Sequence, residues 1–167
     1  MKMFVLCLIY FSRVIFFFTF DLKSGYHHVE IFPDHRQYLG FSWRFDFGVK
    51  YFVFSVLPFG LSSAPYIFTK LVRALVGYWR GLGRRVVMFL DDGIGGAPDF
   101  IACQEVSRLC RVDLEKAGFF VNDQKSVWIP SQVGVWLGYC LDFSRCLISM
   151  PSAKIMKLKE SISRKFI

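Results

Sequence analysis

The sequence predicts a single α+β domain, built on a ferredoxin-like antiparallel sheet that carries its helices on one face. Apolar runs typical of strands alternate with two segments of helical spacing, so that a helix twice lies between strands. The chain has 167 residues, 54% of them hydrophobic, which is enough for one sizeable core and excludes a disordered chain.

The first predicted strand is the apolar run Phe16–Phe20, which leads into Asp21. It belongs to a longer apolar segment, residues 1–20, which Arg13 interrupts. The uncharged runs beside this arginine are too short to span a bilayer, and no small-x-small cleavage motif follows. We therefore expect a buried strand, preceded by an apolar extension, residues 1–13, that need not belong to the domain. A targeting segment is the alternative.

A β-hairpin and a helix are predicted next. Aromatic and polar residues alternate around an Asp-Phe-Gly turn, which predicts a hairpin of Tyr38–Phe45 with Lys50–Val56. Pro65 suits the first turn of a helix, which Gly81 and Gly83 end. Its apolar side chains recur at helical spacing: Phe68, Leu71, Val72, Leu75, Val76 and Trp79.

The centre of the chain is the apolar run Val86–Leu90, which leads into Asp91 and Asp92, with glycines at 93, 95 and 96. This pattern predicts a strand entering a tight, glycine-containing hairpin turn. Because strand side chains alternate between faces, the turn must bring one carboxylate round to the other. Adjacent carboxylates repel, and their natural partner is a divalent cation with oxygen ligands, Mg²⁺ or Mn²⁺. A solvated turn without function is the alternative.

The second half predicts a helix, short strands and a basic tail. Asp99 caps the helix and Gly118 ends it, with Cys103, Val106, Cys110, Leu114 and Ala117 buried. A strand Phe119–Val121, a polar turn 122–126 and a strand Val133–Tyr139 follow, and Leu141–Ile148 returns beside the last strand. Residues 146–167 are the basic start of a thumb or connection, in which Lys154, Lys157, Lys159, Arg164 and Lys165 predict a basic helical tail.

The charge indicates a polyanionic partner, because Lys and Arg number 21 against 13 Asp and Glu, a net charge of +8. Nucleic acid and an anionic membrane surface are the two candidates. The five cysteines form no C-x-x-C pair, so neither a zinc site nor a disulfide framework is indicated, and a reducing compartment is favoured. His27 and His28 are adjacent and lack the spacing of metal ligands.

Five blocks, within about residues 16–145 and in the same order, resemble the palm of retroelement reverse transcriptases. They are Phe20–His27, Leu57–Leu61 with Ser63–Pro65 and Phe68, Phe89–Asp92, Gly118–Phe119 with Asn122 and Lys125–Ser126, and Trp136–Tyr139. Tyr38–Trp43 and Leu61–Pro65 are most similar to DIRS-type elements, whose integrating enzyme is a tyrosine recombinase, and next to gypsy-type elements.

The resemblance implies an RNA-directed DNA polymerase with two Mg²⁺ ions, replaceable by Mn²⁺. Asp21, Asp91 and Asp92 are then the catalytic carboxylates, and the backbone carbonyl of Leu22 assists them in holding the metal. If the strand before Asp21 and the Asp91–Asp92 hairpin lie side by side, their carboxylates converge and can hold two ions. On the alternative reading, Asp21 only caps a helix beginning near Ser24.

The same resemblance implies contacts to nucleotide and primer. Tyr26 lies under the incoming sugar, Phe59 and Gly60 pack on nucleotide and template, and Lys125 faces the leaving phosphates. A core aromatic and a surface lysine are the respective alternatives for Tyr26 and Lys125. The primer grip consists of Trp136, Leu137 and Gly138, for which an ordinary strand core is the alternative.

The chain departs from the family pattern at Phe89, where tyrosine is commoner, and at its two ends. Only about twenty mostly apolar residues precede Asp21, where the family has its fingers, and a thumb is at most begun after Tyr139. The expected domain therefore covers residues 14–145, with partial fingers at about 27–56. A catalytically inactive fragment or a nucleic-acid-binding module is the alternative function.

The expected partners are a primed RNA or DNA template and deoxynucleoside triphosphates, without a stable membrane partner. The expected location is intracellular, in the cytoplasm or nucleus. The sequence gives no indication of the number of subunits.

Overall fold

The computed structural model describes residues 16–163, which form three antiparallel sheets and three α-helices. The strands are β1 Phe16–Asp21, β2 Gly40–Phe45, β3 Gly48–Val53, β4 Arg85–Phe89, β5 Asp92–Ala97, β6 Val127–Ser131, β7 Val133–Trp136, β8 Tyr139–Asp142 and β9 Leu147–Ser149. The helices are α1 Ala64–Gly81, α2 Phe100–Lys116 and α3 Ser152–Ser163, and 3₁₀ turns span Gly25–His28 and Pro33–Tyr38. The predicted extension 1–13 lies outside the described residues, as do Arg164 and Lys165 of the basic tail.

The main sheet has the strand order β4-β5-β1-β6, with neighbouring strands antiparallel. Phe18 and Phe20 of β1 lie in one buried cluster with side chains of both α1 and α2, including Trp79 and Cys110. The two helices therefore cover the same face of the sheet. This confirms the predicted α+β fold, with its antiparallel sheet and helices on one face.

The opposite face of β1 is covered only in part. Phe17 packs there in a second cluster with Ile94, Trp136 and Leu141, which come from β5 and from the small sheet β7-β8-β9. Because successive side chains of a strand alternate between faces, Asp21 shares this face with Phe17. The sheet thus presents Asp21 on the face that the helices leave open.

The glycines after Asp92 lie within β5, so the prediction that they form the hairpin turn is wrong. Gly93 and Gly95 pair with Phe20 and Phe18 across the β1–β5 ladder. A Cβ on Gly93 would lie 2.1 Å from Cζ of Phe20, and one on Gly95 would lie 2.4 Å from Cζ of Phe18. The two glycines therefore make room for the rings that fill the core.

The last strands also differ from the prediction. Val133–Tyr139 forms two strands rather than one, because Leu137 (φ 49°) and Gly138 (φ 72°) make a tight turn between β7 and β8. The predicted strand Phe119–Val121 contributes a single bridge, from Val121 to Leu22. The strand that pairs with β1 on this side is β6, which was not predicted.

Other predicted elements are confirmed with small changes. The first hairpin is shorter at its outer ends than expected, and β2 and β3 pair from Gly40–Val53 to Phe45–Gly48. Asp99 caps α2, since its Oδ1 accepts a hydrogen bond from the Ala102 amide at 2.9 Å. Leu71, predicted to be buried in α1, is exposed. None of the helices within residues 16–163 has the length and apolar character needed to cross a membrane.

Candidate active site

Asp21 and Asp92 are direct neighbours across two paired strands. Their Cα atoms are partners in the β1–β5 ladder, at its last position. Paired residues of antiparallel strands point to the same face, so both side chains project from the open face of the sheet. The strand before Asp21 therefore lies beside the Asp91–Asp92 hairpin, which is the condition for their carboxylates to converge.

Asp91 lies in the two-residue turn between Phe89 and Asp92, which are paired across β4 and β5. The turn requires a left-handed conformation at Leu90, with φ of 55°. The carbonyl of Asp91 accepts a hydrogen bond from the amide of Leu22 at 3.0 Å. The turn is therefore bound to the residue that follows Asp21, which brings all three aspartates to one corner of the sheet.

The three carboxylates influence one another electrostatically. The pKa of Asp92 is raised, chiefly by burial and then by the negative charges of Asp91 and Asp21, and Lys125 opposes the shift. Across residues 16–163, no group of three or more His, Cys, Asp or Glu side chains is arranged to hold a metal ion as it stands. The proximity of three carboxylates nevertheless concentrates negative charge and oxygen atoms at this corner, which suits a divalent cation.

Asp21 is bound on both its backbone and its side chain by the turn 122–126. Its carbonyl accepts from the Asn122 amide at 2.8 Å, and its own amide donates to Ser126 Oγ at 3.1 Å. The Asn122 side-chain amide donates to Asp21 Oδ1 at 3.0 Å. Asp21 is therefore held by the turn 122–126 and does not cap a helix. The segment near Ser24, where the alternative reading placed that helix, forms only the 3₁₀ turn Gly25–His28.

Lys125 lies beside the same carboxylate. Its Nζ is 3.7 Å from Asp21 Oδ2, while its side chain is 69% exposed. A long ion pair on an exposed side chain contributes little to stability, so this lysine remains able to turn toward another anion.

Tyr26 and Phe59 are brought together as one aromatic surface. Their ring centroids are 4.9 Å apart, and Tyr26 also packs on Phe68 at 5.4 Å. Phe59 is 64% exposed, and the next residue, Gly60, has φ of 88° with open space around it. Tyr26 thus packs on Phe68 of the core and on the exposed ring of Phe59.

The predicted primer-grip residues differ in exposure: Trp136 is buried, Leu137 is half-buried and Gly138 is exposed. Trp136 is buried in the second core cluster, whereas Leu137 and Gly138 form the tip of the β7–β8 turn. A Cβ on Gly138 would lie 3.2 Å from Nζ of Lys154 in α3. The structure therefore places Trp136 as a core residue that supports the turn, and only the turn itself is available to a ligand.

Sequence reasoning assigned no role to several residues at this corner. Asn122 and Ser126 both form hydrogen bonds with Asp21, although each lies about 100 residues from it in the sequence. The available signal for this contact was that both residues belong to one motif block. Lys70 and Arg73 of α1 line a cavity of about 380 Å³ together with Phe89 and Leu90. Their spacing of three residues on one helix, off the apolar face, was the available signal.

The fold and the carboxylate corner define a polymerase palm, and the comparisons give the family. The family described as "Reverse transcriptase (RNA-dependent DNA polymerase)" matches residues 12–141. The chain therefore belongs to the reverse transcriptase family.

Relatives come from retroviruses and retrotransposons. The chain is 32% identical over 124 residues to the retrovirus-related Pol polyprotein from transposon opus of Drosophila melanogaster, covering 74% of this chain and 12% of that protein. It is 27% identical over 143 residues to the Gag-Pol polyprotein of Koala retrovirus, covering 83% and 8%. With the Pol polyprotein from transposon gypsy of Drosophila melanogaster it shares 41% identity over 80 residues, covering 47% and 7%. The chain thus spans only a small part of each relative.

Solved structures show the same fold. The foamy viral protease-reverse transcriptase in complex with an RNA/DNA hybrid superposes with a TM-score of 0.74 at 21% identity, covering 88% of this chain and 19% of that one. The same enzyme in complex with dsDNA gives 0.73 at 20% identity, covering 87% and 28%.

Proposed function

We propose that the chain is the catalytic palm of a retroelement reverse transcriptase and adds deoxynucleotides to a primer 3′ end. The observation that supports this most directly is the pairing of Asp21 with Asp92 on the open face, with Asp91 in the adjoining turn. We assign the palm with partial fingers to residues 14–145 and the start of a thumb or connection to residues 146–167.

The carboxylates of Asp21, Asp91 and Asp92, with the carbonyl of Leu22, would hold two Mg²⁺ ions, which Mn²⁺ can replace. Such ions, when bound, activate the attacking hydroxyl and stabilise the leaving pyrophosphate. The raised pKa of Asp92 supports this assignment, because a cation relieves both the burial and the charge repulsion that cause it.

The surrounding residues would position the substrates. The aromatic surface of Tyr26 and Phe59 would receive the sugar and base of the incoming nucleotide, and Gly60 would let the template approach the backbone. Lys125, exposed and close to Asp21, would neutralise the leaving phosphates. Trp136 would support Leu137 and Gly138 as the part that touches the primer.

Primer extension tests the activity directly. With poly-rA/oligo-dT and Mg²⁺ or Mn²⁺, the wild-type chain should incorporate dTMP, and Asp91→Asn should reduce the rate at least a hundredfold. Asp123→Asn is the matched control, since Asp123 is 66% exposed and pairs with Arg111 instead of the site. Equal incorporation by wild type and Asp91→Asn would contradict the proposal.

A nucleic-acid-binding module without catalysis is the second candidate, because the net charge of +8 suits a polyanionic partner. Fluorescence anisotropy with a primed template would then show binding that weakens with salt, without extension by the wild type. If longer copies of the element that include fingers and thumb do extend the primer, the site is sound and this chain is a fragment of the enzyme.

The element type and the location are further parts of the proposal. Tyr38–Trp43 and Leu61–Pro65 favour a DIRS-type element, while the identity to transposon gypsy Pol supports the gypsy-type alternative. A tyrosine recombinase reading frame beside this one would establish the first, and flanking long terminal repeats the second. We place the chain inside the cell, which fractionation of expressing cells would test.

A further inference from the structure

We propose that Asn122 is a positioning residue that orients the Asp21 carboxylate for cation binding. The inference rests on the proposed function, because it concerns the metal-holding role of Asp21. It is carried by a closed set of hydrogen bonds between Asp21 and the turn 122–126.

The set begins at the backbone. The Asp21 amide donates to Ser126 Oγ at 3.1 Å, and the Ser126 hydroxyl donates to the carbonyl of Asn122 at 2.8 Å. The Asn122 amide donates back to the Asp21 carbonyl at 2.8 Å. Backbone contacts in both directions fix the position of Asn122 relative to Asp21, independently of either side chain.

The side-chain contact then selects one orientation of the carboxylate. Asn122 Nδ2 donates to Asp21 Oδ1 at 3.0 Å, so this oxygen is occupied by a neutral donor. The other oxygen, Oδ2, is the one that lies nearest Lys125, at 3.7 Å from Nζ. Because Asn122 engages Oδ1, Oδ2 is left as the oxygen for a cation between Asp21 and its ladder partner Asp92.

The orientation matters because the residue is confined. Asp21 is only 7% exposed, and repulsion from the neighbouring Asp92 carboxylate disfavours orientations that bring the oxygens of the two side chains together. The neutral side-chain amide of Asn122 holds Oδ1 and so opposes rotation of the Asp21 carboxylate. A lysine or arginine at this position would add a positive charge that competes with a cation. Outer partners of this kind commonly change metal affinity by about 10- to 100-fold when they are removed.

Turn 122–126 supplies a matched control. Gln124 is exposed in the same turn, whereas Asn122 is half-buried against Asp21. Asn122→Ala removes the donor to Oδ1. Gln124→Ala changes the turn by a comparable amount without touching Asp21.

Mn²⁺ binding to the whole chain, measured as free Mn²⁺ by electron paramagnetic resonance, gives a readout that does not need catalysis. We expect the Kd for Mn²⁺ to rise about tenfold in Asn122→Ala, with Gln124→Ala unchanged. In primer extension, Asn122→Ala should raise the Mg²⁺ concentration for half-maximal rate and leave the KM for dTTP within about twofold. Thermal unfolding of each variant identifies any that fails to fold, and Ser126→Ala, which keeps the Asn122 amide, then provides a second test with a smaller expected rise in Kd.

An unchanged Kd in Asn122→Ala, or an equal rise in Gln124→Ala, would overturn the inference, as would a wild-type chain that binds no Mn²⁺. A wild-type chain that binds Mn²⁺ but extends no primer would instead contradict the proposed activity, and the role of Asn122 would still be decided by the ratio of the Kd values.

Discussion

The ring of Phe20 occupies the space that a side chain at position 93 would need. Gly93 is the ladder partner of Phe20, and a Cβ there would lie between 2.1 and 2.5 Å from three ring atoms. The ring has little room to move, because it stacks on Trp128 with centroids 5.4 Å apart and meets the edge of Trp79 at 6.2 Å. The residue after Asp91 and Asp92 is therefore fixed as glycine by packing on the helix-covered face of the sheet.

Gly93→Ala should destabilise the fold by about 3 kcal/mol, at the upper end of typical overpacking costs. Urea unfolding followed by tryptophan fluorescence would measure this change. Gly77→Ala in α1 is the control, because nothing lies within 4 Å of its Cβ position, and it should stabilise by about 0.5–1 kcal/mol. A stability of Gly93→Ala equal to wild type would show that the ring can move aside.

Asp113 should be the most sensitive carboxylate for stability outside the site. Its Oδ2 accepts from the indole Nε1 of buried Trp79 at 2.9 Å and from Arg84 at 2.7 Å. Asp113→Ala removes both contacts and should cost about 2–3 kcal/mol, whereas Asp113→Asn keeps an acceptor and should cost about 1 kcal/mol. Glu115→Ala, on a side chain 56% exposed, should stay within about 0.5 kcal/mol. Equal effects of all three in thermal unfolding would contradict this assignment.

Much of the fold could be predicted because local patterns agree with tertiary contacts. Helical spacing located α1 and α2. The side-by-side arrangement of the Asp21 strand and the Asp91–Asp92 hairpin, considered only as a condition for converging carboxylates, is present in the structure. The strand β6 was missed because Pro130 within Val127–Ser131 argues against a strand. The structure resolves this conflict by placing β6 at the edge of the sheet, where a missing backbone donor is tolerated.

The parts of the site that escaped prediction depend on contacts between distant segments. The glycines of β5 have the local signature of a turn, and only the rings of Phe18 and Phe20 explain their place in a strand. Likewise, the hydrogen bond from Asn122 to Asp21 joins segments about 100 residues apart, which no periodicity records. The roles assigned to the site residues themselves stay predictions until they are tested.

The two buried cysteines of α2 should make stability fall at alkaline pH. Burial raises the pKa of Cys103 to about 11 and that of Cys110 to about 12, from an ordinary value of 9.0. Between about pH 9 and 12 the unfolded chain loses these protons first, so the folded state binds more protons and its stability decreases as pH rises. Urea unfolding at pH 8, 9 and 10 should show a smaller loss in Cys110→Val than in wild type.

Thiol reactivity provides the control for this cysteine prediction. The exposed Cys146 should react with Ellman's reagent within minutes at pH 8, whereas Cys103 and Cys110 should react only on unfolding. Rapid native-state labelling of Cys110, identified by mass spectrometry, would show that α2 opens more readily than its burial indicates.

Asp92→Asn should stabilise the metal-free chain while removing activity. The pKa of Asp92 is raised by burial and by the charges of Asp91 and Asp21, so the ionised carboxylate costs folding energy. Because Asp92 is only partly buried and lies near Lys125, we expect a gain of about 0.5 kcal/mol at pH 7. The gain should vanish below the unfolded pKa of about 3.8, where both states are protonated, and grow as pH rises through the higher folded pKa.

Thermal unfolding in EDTA between pH 3.5 and 7 measures this gain in stability, with Asp46→Asn in the exposed β2–β3 turn as control. A stability gain that stays constant over this pH range would show that the substitution acts through packing. A pH-dependent gain together with lost primer extension would mean that the Asp92 carboxylate serves the chemistry at a cost to the stability of the fold.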